Sequence, residues 1–174
     1  MSASISGAPG GAAGAASSSA NSSTNSSTGA EAVLVTLTVA DQLCGVPVLG
    51  VRDVLGPLPI TRIPLAPDAI AGSLNLRGRI VTAIDLRCRL GLPPPPEGMP
   101  RMSVVTEQGA ELYALLVDQV CEVLTLPAAQ LERNPPTLGI RWARYSRGIY
   151  RVGDRLLVVL DVDRLLAVGD GARA

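Results

Sequence analysis

Histidine, lysine and phenylalanine are all missing from this 174-residue chain. Without histidine there is no Ser-His-Asp or Cys-His nucleophile system, almost no zinc hydrolase site and no phosphohistidine relay. Without lysine there is no Walker-type phosphate loop, no Schiff base and no kinase lysine. Aromatic residues make up only 2% of the chain, and its 15 arginines are balanced by 15 acids. The basic, base-stacking footprint of a nucleic-acid binder is therefore absent. Three cysteines, Cys44, Cys88 and Cys121, stand far apart with no CxxC pair, an odd count that argues against a disulfide framework. Their apolar neighbours predict inert packing roles. No stretch approaches the ~20 apolar residues needed to cross a bilayer, and the chain does not start like a secretory signal. The expectation is a soluble, cytoplasmic protein with no cofactor, no metal, no nucleic acid, no membrane insertion and no small-molecule substrate.

A carboxylate pair acting as acid and base is the one enzymatic device these absences leave. Asp85, Asp118 and Asp161 are its candidates, and such a small-barrel hydrolase would need two of them facing one cleft. Each has a cheaper structural role. Asp85 and Asp161 directly precede the helix-like stretches Leu86 to Leu90 and Val162 to Val168, where a carboxylate caps free amides. Asp118 ends an apolar strand and begins a turn.

Residues 1–30 are almost entirely Ser, Ala, Gly, Asn and Thr. Such a composition buries too little apolar surface to offset ordering entropy, so a disordered tail is expected. From Ala32 the texture changes. Val33, Val35, Leu37 and Val39 alternate, as in a half-buried strand, and Leu43 to Val48 returns after an Asp41-Gln42 turn. Val51, Val54 and Leu55 form a third extended piece, and Thr61 to Ile63 a short one. Pro67 and Asp68 predict a brief helical turn across Ala69 to Leu74. Residues 31–92 thus make a first half, 93–100 a proline-rich linker, and 101–170 a second half. In that second half Met102 to Thr106, Glu111 to Val117, Val120 to Leu126, Gly148 to Val152 and Arg155 to Leu160 read as strands. A Gly153-Asp154 turn joins the last two, and the stretch from Asn134 to Trp142 reads as a loop. Short, turn-rich strands point to an all-β fold of closed or nearly closed barrels with a few short helices. Each half is marginal alone, so the two should share a core.

The most informative segment is Asn75-Leu76-Arg77-Gly78, set before the apolar strand Ile80 to Ile84. A Gly-bounded turn that lifts one guanidinium off a rigid edge suits a partner's carboxylate or carbonyl. The bland alternative is an arginine bonding the ends of its own turn. Arg87 and Arg89, just beyond, are expected to be solvated.

This block resembles the CheW family, the adaptors that join bacterial chemoreceptors to the histidine kinase CheA. The likeness continues through Val51-Arg52-Asp53-Val54, Ile60 to Pro64, Leu116 to Val123, Gly148-Ile149 and Leu160-Asp161. Asp53 stands where the family usually has glutamate, Thr82 where proline is common, and an aliphatic residue replaces the usual aromatic of the first strand. The resemblance implies two five-stranded, SH3-like barrels on a shared hydrophobic core and no catalysis. It also implies two partners, a chemoreceptor's cytoplasmic hairpin tip and the regulatory domain of CheA, with recruitment to receptor arrays through them. A CheW-like scaffold in a non-chemotactic receptor or kinase pathway is the alternative. The protein-binding residues implied are Val51, Asp53, Val54, Leu74, Asn75, Arg77, Gly78, Val117 and Val120. For the valines a plain core role stands beside the interface role.

Overall fold

The computed structural model describes residues 29–167; the expected tail, up to residue 28, lies outside them. Ten strands build two five-stranded sheets. The first has the order β8-β1-β2-β10-β9, from β1 (Glu31–Val39), β2 (Gln42–Pro47), β8 (Gln119–Pro127), β9 (Ser146–Val152) and β10 (Arg155–Leu160). The second has the order β3-β6-β7-β5-β4, from β3 (Val51–Leu55), β4 (Ile70–Leu76), β5 (Arg79–Asp85), β6 (Met102–Gln108) and β7 (Glu111–Val117). Three short helices follow strands or loops: α1 (Leu86–Arg89), α2 (Ile140–Tyr145) and α3 (Val162–Leu166).

The two sheets repeat one design. Each holds two hairpins, joined by a parallel pairing of β2 with β10 or of β7 with β5. The chain leaving each edge strand comes back to the opposite edge and closes the sheet. Thr61 bridges Ser73 after β3, and Glu132 bridges Ile149 after β8. Both closures run over a glycine at φ 150°, Gly72 and Gly148. A Cβ there would meet the Thr61 carbonyl oxygen at 2.2 Å or the Glu132 carbonyl oxygen at 2.6 Å. Only glycine allows that approach at that φ.

Alternation along the strands now has a double meaning. In β7, Ala114 and Leu116 fill the second barrel while Leu115 and Val117 face the core shared by both. In β10, Leu157 and Val159 fill the first barrel while Val158 and Leu160 join the shared core. Both faces of these strands are dry, so their sequences run apolar at consecutive positions. The shared core also takes Leu37, Val46, Leu86 and Val104. Fully burying each aliphatic side chain is worth roughly 1.5–3 kcal/mol, which makes the seam a joint of the fold and not a docking of two finished units.

Several expectations change. Ala69 to Leu74 is no helical turn: Ile70–Leu76 is a strand paired along β5, because the φ of Gly72 cannot be helical. Strict alternation fails in β1, where Leu34, Val35, Thr36 and Leu37 are all buried. There the register against β8 shifts between Val35 and Leu37, and the Thr36 hydroxyl donates to the Glu122 carbonyl. The stretch before Trp142 ends in α2, which packs Trp142 and Tyr145 on the shared core. Residues 93–100 do not part the barrels; they connect α1 to β6 within the second sheet. Each barrel draws strands from both sequence halves.

Arg87 and Arg89 are not simply solvated either. Arg87 is buried in a bidentate pair with Asp118. Arg89 donates to the Leu165 carbonyl at 3.1 Å and the Ala167 carbonyl at 2.8 Å, and its guanidinium lies 5.1 Å from the Tyr145 ring centroid. It therefore caps the C-terminal end of α3 from α1, tying one barrel to the other. Cys44 is buried as expected, but Cys88 and Cys121 are exposed and pack nothing away.

Candidate functional site

β4 and β5 are joined by a two-residue turn in which Arg77 has φ 52° and Gly78 φ 86°. Two consecutive positive φ values make the type I′ turn that matches the twist of a tight hairpin. Glycine is at home there; arginine is not, at a cost on the order of 1 kcal/mol. Asn75 pins the turn, its Oδ1 accepting the Gly78 amide at 2.8 Å. The Arg77 side chain remains 83% exposed and does not bond its own turn. It reaches across to Asp53, with Nη2 3.7 Å from Oδ2.

Asp53 comes from β3, whose register against β6 shifts between Val51 and Asp53. The bulge at Arg52 turns that arginine outward onto Glu107 at 2.6 Å. Asp53 steadies itself by accepting the Val54 amide at 2.8 Å. Leu76, Arg79, Val105 and Leu112 complete a shallow hollow around Arg52, Asp53 and Arg77. Ile80, 80% exposed at the start of β5, has the opposite parity to Arg79 and lines a separate hollow with Leu58, Pro59, Thr61 and Asn75 on the other face of the hairpin. The hairpin thus offers an exposed guanidinium over a charged hollow on one face and an exposed aliphatic side chain on the other, a composition suited to a protein surface.

Of the remaining expected residues, Val51 and Val120 lie half-buried against the shared core. They come from edge strands of different sheets, β3 and β8, so the fold brings them to the seam between the barrels. Met102 sits there too, its Sδ accepting the Val120 amide at 3.4 Å. Val54 is exposed. Leu74, expected at the interface, is corrected to a core residue at 3% exposure, with only an edge on the hollow that Ile80 lines; Val117, 0% exposed, takes the core role that stands beside its interface role. Val117 lies on the inner parity of β7 and Leu74 on that of β4. Arg79 and Ile80 join the candidate residues from the structure alone. The parity of Val81 and Ala83, both buried, was the available signal that Ile80 points out.

The three candidate carboxylates each serve an arginine. Asp85 accepts the Arg87 and Cys88 amides at the start of α1 and forms a two-point pair with Arg101 at 2.9 and 3.0 Å. Asp118 pairs with Arg87. Asp161 accepts the Arg164 amide and lies 3.4 Å from Arg147. Burial pushes the Asp85 and Asp118 carboxyls up, but hydrogen bonds and charge from Arg101 and Arg87, with backbone amides, hold both below the usual carboxylate range. Pinned, ionised carboxylates of this kind do not act as general acids.

Comparison with known proteins agrees with this architecture. The CheW-like domain family matches residues 33–169. Chemotaxis protein CheW of Klebsiella aerogenes is 32% identical over 139 residues, covering 80% of this chain and 82% of that protein. Probable chemotaxis protein CheW of Rhizobium etli is 28% identical over 134 residues, covering 77% and 86%. The crystal structure of the scaffolding protein TtCheW from Thermoanaerobacter tengcongensis superposes with a TM-score of 0.72 at 28% identity, covering 80% of this chain and 95% of that one. Family match, relatives and fold converge: the chain belongs to the CheW family of non-catalytic chemotaxis adaptors.

Proposed function

We propose that this adaptor couples a chemoreceptor to the histidine kinase CheA, holding the receptor's cytoplasmic hairpin tip and the kinase's regulatory domain and working at receptor arrays through them. The observation that carries this reading is the Arg77 turn. A non-glycine residue is kept at positive φ, pinned by Asn75, with its charge displayed rather than consumed. Local strain of this sort persists where the surroundings impose it, and it gathers at binding sites. Val54, Asn75, Arg77 and Gly78 with the half-buried Asp53 form the outer part of the grip, and Ile80 adds an apolar contact on the other face of the hairpin. Val51 and Val120 form its apolar floor at the seam. Among the described residues no helix is long and apolar enough to cross a membrane, in keeping with recruitment through partners.

A pull-down using a receptor hairpin fragment and, separately, a CheA regulatory domain tests the proposal. Capture of both is expected. Capture of neither, by protein whose circular dichroism shows it folded, overturns it.

A further inference from the structure

Asp118 is the single residue between β7 of the second sheet and β8 of the first. The chain therefore crosses from one barrel to the other through one pair of backbone dihedrals. Arg87 grips the Asp118 carboxylate side-on, Nε to Oδ1 at 2.9 Å and Nη2 to Oδ2 at 2.6 Å. The two side chains are 10% and 7% exposed. Asp118 Oδ2 also accepts the Ala40 amide at 2.8 Å, and the Asp118 amide donates to the Thr38 carbonyl at 3.0 Å. Both of those groups belong to the β1–β2 hairpin of the first barrel. The guanidinium itself is rooted in the second, on α1, where its free Nη1 donates to the Pro93 carbonyl at 3.0 Å.

The internal repeat supplies a comparison within the same molecule. The other crossing, from β2 to β3, runs through Val48–Gly50, where Leu49 is 91% exposed and no ion pair forms. Two residues past the capping aspartate, the repeat has Arg87 after Asp85 but an exposed Asp163 after Asp161. The barrel design alone does not call for the pair. Nor does stability, since apolar side chains of similar volume serve about as well at buried positions. A bidentate fork adds direction, fixing two groups in one plane.

We propose that the Arg87–Asp118 pair is a lock on the β7–β8 crossing that sets the angle between the barrels and thereby positions Val51 and Val120 for the partner at the seam. Both are positioning residues and neither touches the partner. The second half of the statement rests on the function proposed above; the first half does not.

The test uses spin labels at Cys121, in the first barrel, and at Gly56→Cys, just beyond β3 in the second, in a Cys88→Ser background. Nothing lies within 4 Å of a Cβ at Gly56, and Cys44 is buried beyond labelling. The double variant Arg87→Met/Asp118→Asn removes both charges, orphans neither, and leaves an amide oxygen for the Ala40 N–H. Its interlabel distance distribution should broaden or shift against that of the unsubstituted pair, and its affinity for a receptor hairpin fragment should fall at least tenfold. Arg87→Lys, which keeps the charge and loses the fork, is read the same way should the double variant not fold. An unchanged distribution in a folded variant overturns the lock. An unchanged affinity beside a changed distribution overturns its role in positioning. If the parent protein does not bind the fragment at all, the partner reading fails, and the label distances still judge the lock.

Discussion

The Arg77 guanidinium stands 3.7 Å from the Asp53 carboxylate while 83% of its side chain faces solvent. A pair so exposed contributes at most about 1 kcal/mol, screened further by salt. Asp53→Asn should therefore leave the urea midpoint close to that of the parent. A loss of several kcal/mol would show the pair to be a fold element and remove Asp53 from the binding surface.

The two closure glycines should be intolerant. Gly72→Ala and Gly148→Ala each drive a Cβ into a carbonyl oxygen, at 2.2 and 2.6 Å, in a φ region that alanine avoids. A loss of about 2 kcal/mol or more is expected for each, by strain and by breaking the bridge that closes the barrel. Gly56→Ala, with open space around it, is the control and should be nearly neutral in thermal melts.

Stability should fall on acidification in a way that traces to Asp85 and Asp118. Both folded-state pKa values are lowered, so the unfolded chain binds the protons more tightly. Their contribution is complete above the unfolded carboxylate pKa, about 4, and is lost as pH drops through the lower folded values. Urea midpoints measured from pH 7 to pH 2.5 should decline over that acid window, and less steeply in Arg87→Met/Asp118→Asn. An identical decline in the double variant would assign the acid sensitivity elsewhere.

Thiol chemistry should separate the cysteines. Burial pushes the Cys44 thiol far up, whereas Cys88 and Cys121 are exposed. A disulfide reagent at pH 8 should titrate two thiols in the native protein, Cys88 the slower since burial and nearby Asp85 raise its pKa. The third should appear only on unfolding.

Strand positions were legible because alternation and turn residues report local geometry. Gly153-Asp154 marked the last hairpin and Asp85 and Asp161 marked helix starts, as the structure has them. What local pattern could not show is pairing at long range. The exchange of β8, β9 and β10 into a barrel with β1 and β2 depends on contacts between residues some 80 or more positions apart, such as Thr36 with Glu122. For the same reason Arg87 read as a surface charge: its partner lies 31 residues away. Ala69 to Leu74 carries a helical signal because Pro67-Asp68 is a fair helix start, while the close approach that excludes a helix at Gly72 comes from Thr61, outside that stretch. At the site, the Arg77 turn is visible in the sequence, and strand alternation allows Val117 its core role without deciding it, since a valine in a strand between two cores resembles one facing a groove; the burial of Leu74 depends on the closure of the second barrel around it.

The most direct measurement is titration calorimetry of Arg77→Glu against a receptor hairpin fragment and against the CheA regulatory domain. The side chain stands on a pinned turn outside every core cluster, so circular dichroism and melting should match the parent. Breaking a partly buried interfacial charge pair costs about 2–5 kcal/mol, and each ~1.4 kcal/mol is tenfold in affinity. Binding to at least one partner should therefore weaken about 30-fold or more. Unchanged affinity for both, in protein that still folds, would contradict the claim that the Arg77 turn is the grip.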